Sequence, residues 1–324
     1  MSVIKVAAGI DIGGTNTVFG LVDRDGNVIA EDCLKTCDYP EAEKFVESVF
    51  NKIISLAEEA GLGTELAGFG IGAPMGNVYR GTIEYPAGLP WKGITPIAAF
   101  FKKHTALPVI ITNDANAAAI GEMIYGGAKG MKDFVVLTLG TGLGSGFVAN
   151  GKLVYGNDGF AGELGHTTVK PGLSERECGC GKKGCLETYV SATGLKRTLL
   201  KVMADSLEPS ILRKLSFEEI DGKTIYEAAF NNDPLAKKAF EYTGKILGIK
   251  LADLVAHTGP EAIFLFGGLA EAKEFIFEPA KKYMEENLLH IYRGKVKLLP
   301  SQIETKNAAV LGASSLVWSE IEND

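Results

Sequence analysis

Between Ala161 and Glu187 the chain reads AGELGHTTVKPGLSERECGCGKKGCLE, a stretch that gathers one histidine, three cysteines and two candidate carboxylates among glycines. Cys178, Cys180 and Cys185 lie within eight residues of one another, and His166 offers a fourth donor. Together they complete the closed tetrahedral set that structural zinc prefers. Buried thiols or disulfides are the competing explanation, but the loop's glycines and lysines leave few hydrophobes to bury sulfur. Cytosolic Cys/His clusters are also more often metal-binding or catalytic than cross-linked. The stretch is therefore read as a Cys3His zinc site. Glu163 precedes His166 by three residues and Glu187 follows Cys185 by two. A metal pinning this loop would fix both carboxylates beside one cavity.

Two glycine turns offer a second kind of chemistry. Asp11-Ile-Gly13-Gly14-Thr15 follows one apolar strand, and Gly140-Thr141-Gly142-Leu143-Gly144-Ser145-Gly146 follows another. Hairpin turns lined by Gly, Thr and Ser expose N–H groups and hydroxyls that can cradle phosphate oxygens without lysine. For either turn alone, an ordinary glycine hairpin explains the residues as well. A dinucleotide fingerprint fits poorly because Gly13-Gly14 leads into a strand rather than a helix. A P-loop fails at Leu153, which occupies the Ser/Thr position after Gly151-Lys152. Asp11 could organise Mg2+ beside a triphosphate or simply bond its own turn. Asn113-Asp114 ends the strand Val109-Ile110-Ile111, where open α/β sheets place ligands, yet Asp114 could equally cap the Ala-rich helix that follows.

These groups need a scaffold of alternating strands and helices. Ile4 to Ile10, Val18 to Val22 and Val28 to Ala30 read as three antiparallel strands joined by glycine turns. From a cap at Asp38 and a first turn at Pro40, the apolar set Phe45, Val46, Val49, Phe50, Ile53, Leu56 and Ala57 predicts an amphipathic helix ending at Gly61. Strands are expected at 66–72, 108–112, 133–139, 147–149, 262–266 and 295–299. Helices are expected from Thr95-Pro96 and over 115–125, 191–204, 216–230, 233–258, 271–287 and 307–317. Strands alternating with helices indicate α/β architecture, and the repeated strand–glycine turn–strand plan implies two such halves with a cleft between them.

Composition narrows the function. With 324 residues, 46% hydrophobic and 23% charged, the chain has the makeup of a two-domain globular protein. A net charge of −7, with no Lys/Arg cluster to track a phosphate backbone, argues against nucleic acid as a partner. The start MSVIKVAAGIDIGG lacks the basic region and sustained apolar run of a secretory leader, and no later run reaches membrane-span length. A cytoplasmic protein without a membrane partner is expected. Five cysteines, an odd number, argue against a disulfide framework, and Cys33 and Cys37 are read as ordinary thiols.

Taken in order, Asp11-Ile-Gly-Gly-Thr-Asn16, Asn113-Asp114-Ala-Asn116, Leu139-Gly-Thr-Gly-Leu-Gly-Ser-Gly146, Glu163-Leu-Gly-His166 and Cys178-Gly-Cys180-Gly-Lys-Lys-Gly-Cys185-Leu-Glu187 resemble the ROK family (repressors, open reading frames, kinases) over essentially the full length. The resemblance implies an actin-like (ribonuclease H-like) two-domain ATPase fold with a cleft between the domains. Residues 1–115 plus 306–324 would form a small α/β domain, and 116–305 a large α/β domain with the zinc loop. It further implies an ATP-dependent hexose kinase of glucokinase type acting on the 6-hydroxyl of glucose, with fructose, mannose, N-acetylmannosamine and N-acetylglucosamine as alternatives. Asp114 would be the general base, while Asn113, Glu163, His166 and Glu187 would bind the other hydroxyls. Gly13, Gly14, Thr15, Thr141 and Gly142 would hold phosphates, Asp11 Mg2+, and Gly267-Gly268 would lie near adenosine. His166, Cys178, Cys180 and Cys185 would hold a structural Zn2+, with the second ring nitrogen of His166 facing the sugar. The implied assembly is a homodimer. A DNA-binding extension, as in repressor relatives, is not expected because the first strand begins by Ile4. The chain departs from the family pattern in Pro86-Ala-Gly88-Leu-Pro-Trp91, with Gly88 where the family often has Asn, and in the loose turn Ala73-Pro74-Met75-Gly76.

Overall fold

A computed structural model of the chain describes residues 4–61, 65–86, 88–169, 176–303 and 308–323. Ala87, residues 170–175 of the cysteine loop, the expected boundary at 306 and the expected helix start at Asn307 lie outside the described residues.

In chain order the strands and helices begin with β1 (Val6–Ile12), β2 (Asn16–Asp23), β3 (Val28–Lys35), α1 (Ala42–Glu59), β4 (Leu66–Gly72), β5 (Gly76–Asn77), β6 (Thr82–Glu84) and β7 (Ile94–Thr95). Then come α2 (Ile97–Phe101), β8 (Val109–Thr112), α3 (Asp114–Ile124), β9 (Phe134–Leu139), β10 (Leu143–Ala149), β11 (Lys152–Leu153) and α4 (Ala192–Ala204). The chain closes with α5 (Gly222–Phe230), α6 (Pro234–Thr258), β12 (Ala262–Phe266), α7 (Glu274–Asn287), β13 (Lys297–Pro300) and α8 (Ala308–Asn323). The strands form two five-stranded sheets, ordered β3-β2-β1-β4-β8 and β11-β10-β9-β12-β13, and a small sheet β5-β6-β7. The three opening strands are antiparallel, as their glycine turns predict, whereas β1–β4 and β4–β8 are parallel because helices connect them. No described helix is long and apolar enough to cross a membrane.

The chain divides into two compact units: Met1–Met131 with Gly146–Gly162 and Ser301–Asp324, and Lys132–Ser145 with Glu163–Pro300. The boundary drawn from the sequence after residue 115 lies instead inside α3. All of α3 belongs to the first unit, where it packs on α8. In that unit α1 buries Phe45, Val46, Val49, Ile53 and Ala57 in a core shared with Phe69, Trp91 and Phe101. The other face of the sheet receives α8. Glycine at positions 9 and 70 permits this close approach, since a Cβ at either would collide with the carbonyl oxygen of Val310 or Ala313. In the second unit β9, β12 and β13 run parallel, and α4, α5 and α7 pack against the long helix α6.

Of the boundaries that differ from the sequence reading, three have identifiable reasons. Helix α1 starts at Ala42, not at Pro40, because Asp38 ends a separate one-turn helix over Thr36–Asp38, and Trp91 Nε1 donates to the Tyr39 carbonyl at 3.0 Å. Helix α5 starts at Gly222 rather than Ser216, where Asp221 and Thr224 form a reciprocal capping box. The second glycine turn is confined to Gly140–Gly142, closed by Gly140 N–H to the Gly142 carbonyl at 3.1 Å. Gly144, Ser145 and Gly146 already belong to β10.

Candidate active site

The first unit brings Asp11, the Gly13–Thr15 turn, Asn113 and Asp114 to one end of its sheet. Asp11 lies beside Gly72 in the β1–β4 register, and Gly72 lies beside Thr112 in the β4–β8 register. Asp11 near the end of β1 and Asp114 just after β8 therefore lie at the C-terminal ends of two parallel strands that flank β4, where α/β sheets collect ligands. Gly13 N–H donates to the Asn16 carbonyl at 3.0 Å, which closes the hairpin expected from the sequence.

The N-cap of α3 is Asn113 rather than Asp114. Asn113 Oδ1 accepts from the N–H groups of Ala115 at 2.7 Å and Asn116 at 3.3 Å, so Asp114 occupies the first helical position. Asp114 Oδ1 accepts a bond from Ala115 N–H at 2.9 Å, and Asn116 Nδ2 donates to Thr112 Oγ1 at 3.1 Å beneath it. The Asp114 residue remains accessible to solvent, yet the protein packed around its carboxyl raises its pKa above the ordinary aspartate value. Burial first, and the neighbouring Asp114 charge second, push the Asp11 carboxyl up to about 7. Two carboxyls with raised proton affinity at the mouth of a sheet are suited to taking a proton and to meeting a cation.

The second unit holds the remaining groups. Turn Gly140–Gly142 is fastened to the start of α4 by Ala192 N–H to the Gly140 carbonyl at 2.9 Å and by Thr193 Oγ1 to the Thr141 carbonyl at 3.1 Å. Gly267, at φ +97°, lets the chain after β12 press against Leu139, and Leu269 N–H donates to the Leu139 carbonyl at 3.0 Å. Gly267-Gly268 thus adjoins the Thr141-Gly142 turn. Glu187 sits in a one-turn helix, Leu186–Thr188, and its Oε2 accepts from Leu143 N–H at 3.0 Å. A Cβ on Gly142 would overlap that same oxygen.

The cysteine loop is a small hairpin in which Cys178 N–H donates to the Lys182 carbonyl at 2.9 Å, and Thr168 pairs with Cys185 alongside. Ligand atoms of His166, Cys178, Cys180 and Cys185 all lie within 4.8 Å of one another. Cys178 Sγ is 3.7 Å from His166 Nδ1, and Cys180 Sγ is 3.7 Å from Cys185 Sγ. Thiolates about 2.3 Å from a tetrahedral zinc ion stand about 3.8 Å apart, so the donor set and its spacing fit that ion. Burial pushes the Cys178 thiol up to about 12, a thiol that a bound cation would take as thiolate. His166 Nε2 faces Glu163 Oε2 at 3.7 Å, while Cys178 Sγ is 3.5 Å from Glu187 Oε1. Both carboxylates expected beside the loop therefore touch its donors. Two contributors were not singled out from the sequence. Lys182 Nζ donates to the His166 carbonyl at 2.8 Å and Ser145 Oγ accepts from Leu164 N–H at 3.2 Å. A lysine between the loop glycines and a serine in the glycine run were the available signals.

A model of the ROK family matches residues 7–320. A glucokinase of Streptomyces coelicolor is 34% identical over 315 residues, covering 95% of this chain and 96% of that protein. A xylose repressor of Caldicellulosiruptor bescii is 28% identical over 316 residues, covering 97% of this chain and 78% of that one. The crystal structure of a ROK family glucokinase from Streptomyces griseus in complex with glucose and AMPPNP superimposes with a TM-score of 0.80 at 32% identity, covering 97% of this chain and 99% of that one. The two-sheet α/β architecture is that of the actin-like ATPase type. On the family match and these relatives, the chain belongs to the ROK family.

Proposed function

We propose that the protein is an ATP-dependent hexose kinase that transfers the γ-phosphoryl group of ATP to the 6-hydroxyl of glucose. The observation that carries this reading is the bond from Leu143 N–H to Glu187. It joins a carboxylate able to read hydroxyls to the end of a glycine turn able to cradle phosphate, within one unit. Similarity to glucokinases of near-equal length supports the same choice.

In this reading Asp114 accepts the proton of the 6-hydroxyl as its oxygen bonds to the γ-phosphorus. The bond from that phosphorus to the β,γ-bridging oxygen breaks, ADP departs, and Asp114 returns its proton to solvent. The raised pKa of Asp114 increases its proton affinity in that step. Asn113, Glu163, His166 and Glu187 bind the remaining hydroxyls. Gly13, Gly14, Thr15, Thr141 and Gly142 receive phosphates, and Gly267-Gly268 lies toward adenosine. Asp11 would hold Mg2+ directly or through water, and that ion would offset charge on the phosphates. His166, Cys178, Cys180 and Cys185 would hold Zn2+. Four protein donors would leave no open position, so a bound zinc ion would fasten the loop rather than activate a reactant. The sugar is read as glucose, although Gly88, exposed and at φ +97°, offers no side chain where relatives in the family often carry Asn.

A coupled ADP-release assay over glucose, fructose, mannose, N-acetylmannosamine and N-acetylglucosamine tests the proposal. Glucose-dependent ADP formation with the highest kcat/KM is expected. A different preferred hexose would correct the substrate. Sugar binding without sugar-dependent ADP formation would overturn the kinase reading in favour of a sugar sensor.

A further inference from the structure

Arg176 enters the cysteine loop two residues before Cys178 and has no part in the roles assigned above. From Nη1 its guanidinium donates to the carbonyls of Thr188 at 2.7 Å and Gly194 at 3.2 Å, and from Nη2 to Thr198 Oγ1 at 3.1 Å. It also lies 4.3 Å from the centroid of the Tyr189 ring. No carboxylate among the described residues pairs with it, so its acceptors are neutral groups of the backbone and of α4. The Thr188 carbonyl belongs to the residue that ends the one-turn helix carrying Glu187, an end that leaves carbonyls without intrahelical partners. The Arg176 carbonyl accepts from Gly184 N–H at 2.9 Å on the opposite arm of the hairpin. One residue therefore ties the cysteine hairpin, the Glu187 turn and the start of α4 together. Arg197, from α4, braces the adjoining Glu177 carbonyl at 3.0 Å.

We propose that Arg176 is a positioning residue: it fixes the turn that aims the Glu187 carboxylate and thereby sets the affinity for the sugar. This rests on the hexose-kinase reading of Glu187. The chemistry favours arginine over lysine. A planar fork reaches three acceptors at once while its face stacks on an aromatic ring, whereas a lysine ammonium satisfies fewer of them and does not stack. Loosened support would leave Glu187 near its site but poorly aimed, a defect of sugar binding more than of phosphoryl transfer.

The test compares the zinc-loaded parent with Arg176→Lys, Glu187→Gln and the double variant, reading kcat and KM for glucose and for ATP. The expected result for Arg176→Lys is a glucose KM raised on the order of 10-fold to 100-fold, by analogy with the cost of removing groups that orient metal ligands. Its kcat and its KM for ATP should stay close to the parent. In the Glu187→Gln background the same substitution should add nothing to the glucose KM, because the effect runs through Glu187. If Arg176→Lys does not fold, Thr198→Val removes one acceptor from the fork and should raise the glucose KM in the same non-additive way. A parent-like glucose KM in the variant, or effects that multiply in the double variant, would overturn the inference. A parent that forms no sugar-dependent ADP would overturn the kinase reading and the inference with it. An active parent with an indifferent Arg176 would overturn the inference alone.

Discussion

Replacing Asp11 by Asn should stabilise the protein at alkaline pH, and the size follows from its surroundings. The carboxyl is pushed up to about 7 in the folded chain, chiefly by burial and secondarily by Asp114, against 3.8 for an ordinary aspartate. As pH rises from about 4 to about 7, the unfolded chain loses this proton while the folded chain keeps it. Folding stability contributed by the protonated group is therefore full below the unfolded value and lost through that window, levelling above 7. A difference of about three in pKa sets an upper bound on the order of 4 kcal/mol, which solvent screening of a part-exposed group reduces to roughly half. The Asn side chain carries no charge at any pH. Thermal unfolding of parent and variant without cation or nucleotide, at pH 5 and pH 8, should show the variant's advantage widening by roughly 1–2 kcal/mol, or about 2–8 °C for units of this size. Excess Mg2+ at pH 8 should narrow the gap by favouring the ionised parent. A gap that stays constant or shrinks between pH 5 and pH 8 would refute the raised pKa, and a gap at pH 8 that excess Mg2+ leaves unchanged would refute the assignment of Asp11 to a cation.

Other perturbations probe the second unit and the cap. Zinc should be found at stoichiometric level by elemental analysis, and its removal by chelation should raise the glucose KM or unfold the loop; verified zinc-free protein with parent kinetics would contradict its fastening role. Gly142→Ala should drive Glu187 off the Leu143 N–H and lose a charge-assisted bond of about 1.5–3 kcal/mol, raising the glucose KM on the order of 10-fold or more, and a parent-like KM would count against that contact. Asn113→Ala should cost about 1 kcal/mol of stability through the lost helix cap and lower kcat by loosening Asp114, as read by thermal unfolding and steady-state kinetics.

What was legible in the sequence was the chemistry of short segments. Three cysteines, a histidine and two flanking glutamates within 27 residues announced a metal cluster with carboxylates, and the side chains do converge. Strand and helix periods were equally local, so β4 and β12 coincide with their predicted limits. Roles set by distant partners were not legible. Whether Asn113 or Asp114 capped α3 depended on backbone torsions at one junction. The true start of α1 depended on Trp91, 52 residues from its acceptor Tyr39. The contact between Glu187 and Leu143 spans 44 residues, and the bracing of the loop by Arg176 reaches into α4. Gly144 and Gly146 looked like turn residues because glycine marks both turns and strands approached closely by other backbone, and sequence alone does not separate the two.

Phosphoryl transfer from ATP to the 6-hydroxyl with Asp114 as base is tested by product identification with parent and Asp114→Ala protein, incubated with glucose and MgATP and read by 31P NMR, with glucose binding followed in parallel by calorimetry. Glucose 6-phosphate is expected from the parent, and from the variant a rate lower by about 10²–10⁴ with glucose binding retained. No sugar phosphate from the parent, or a variant that turns over near the parent rate, would contradict it.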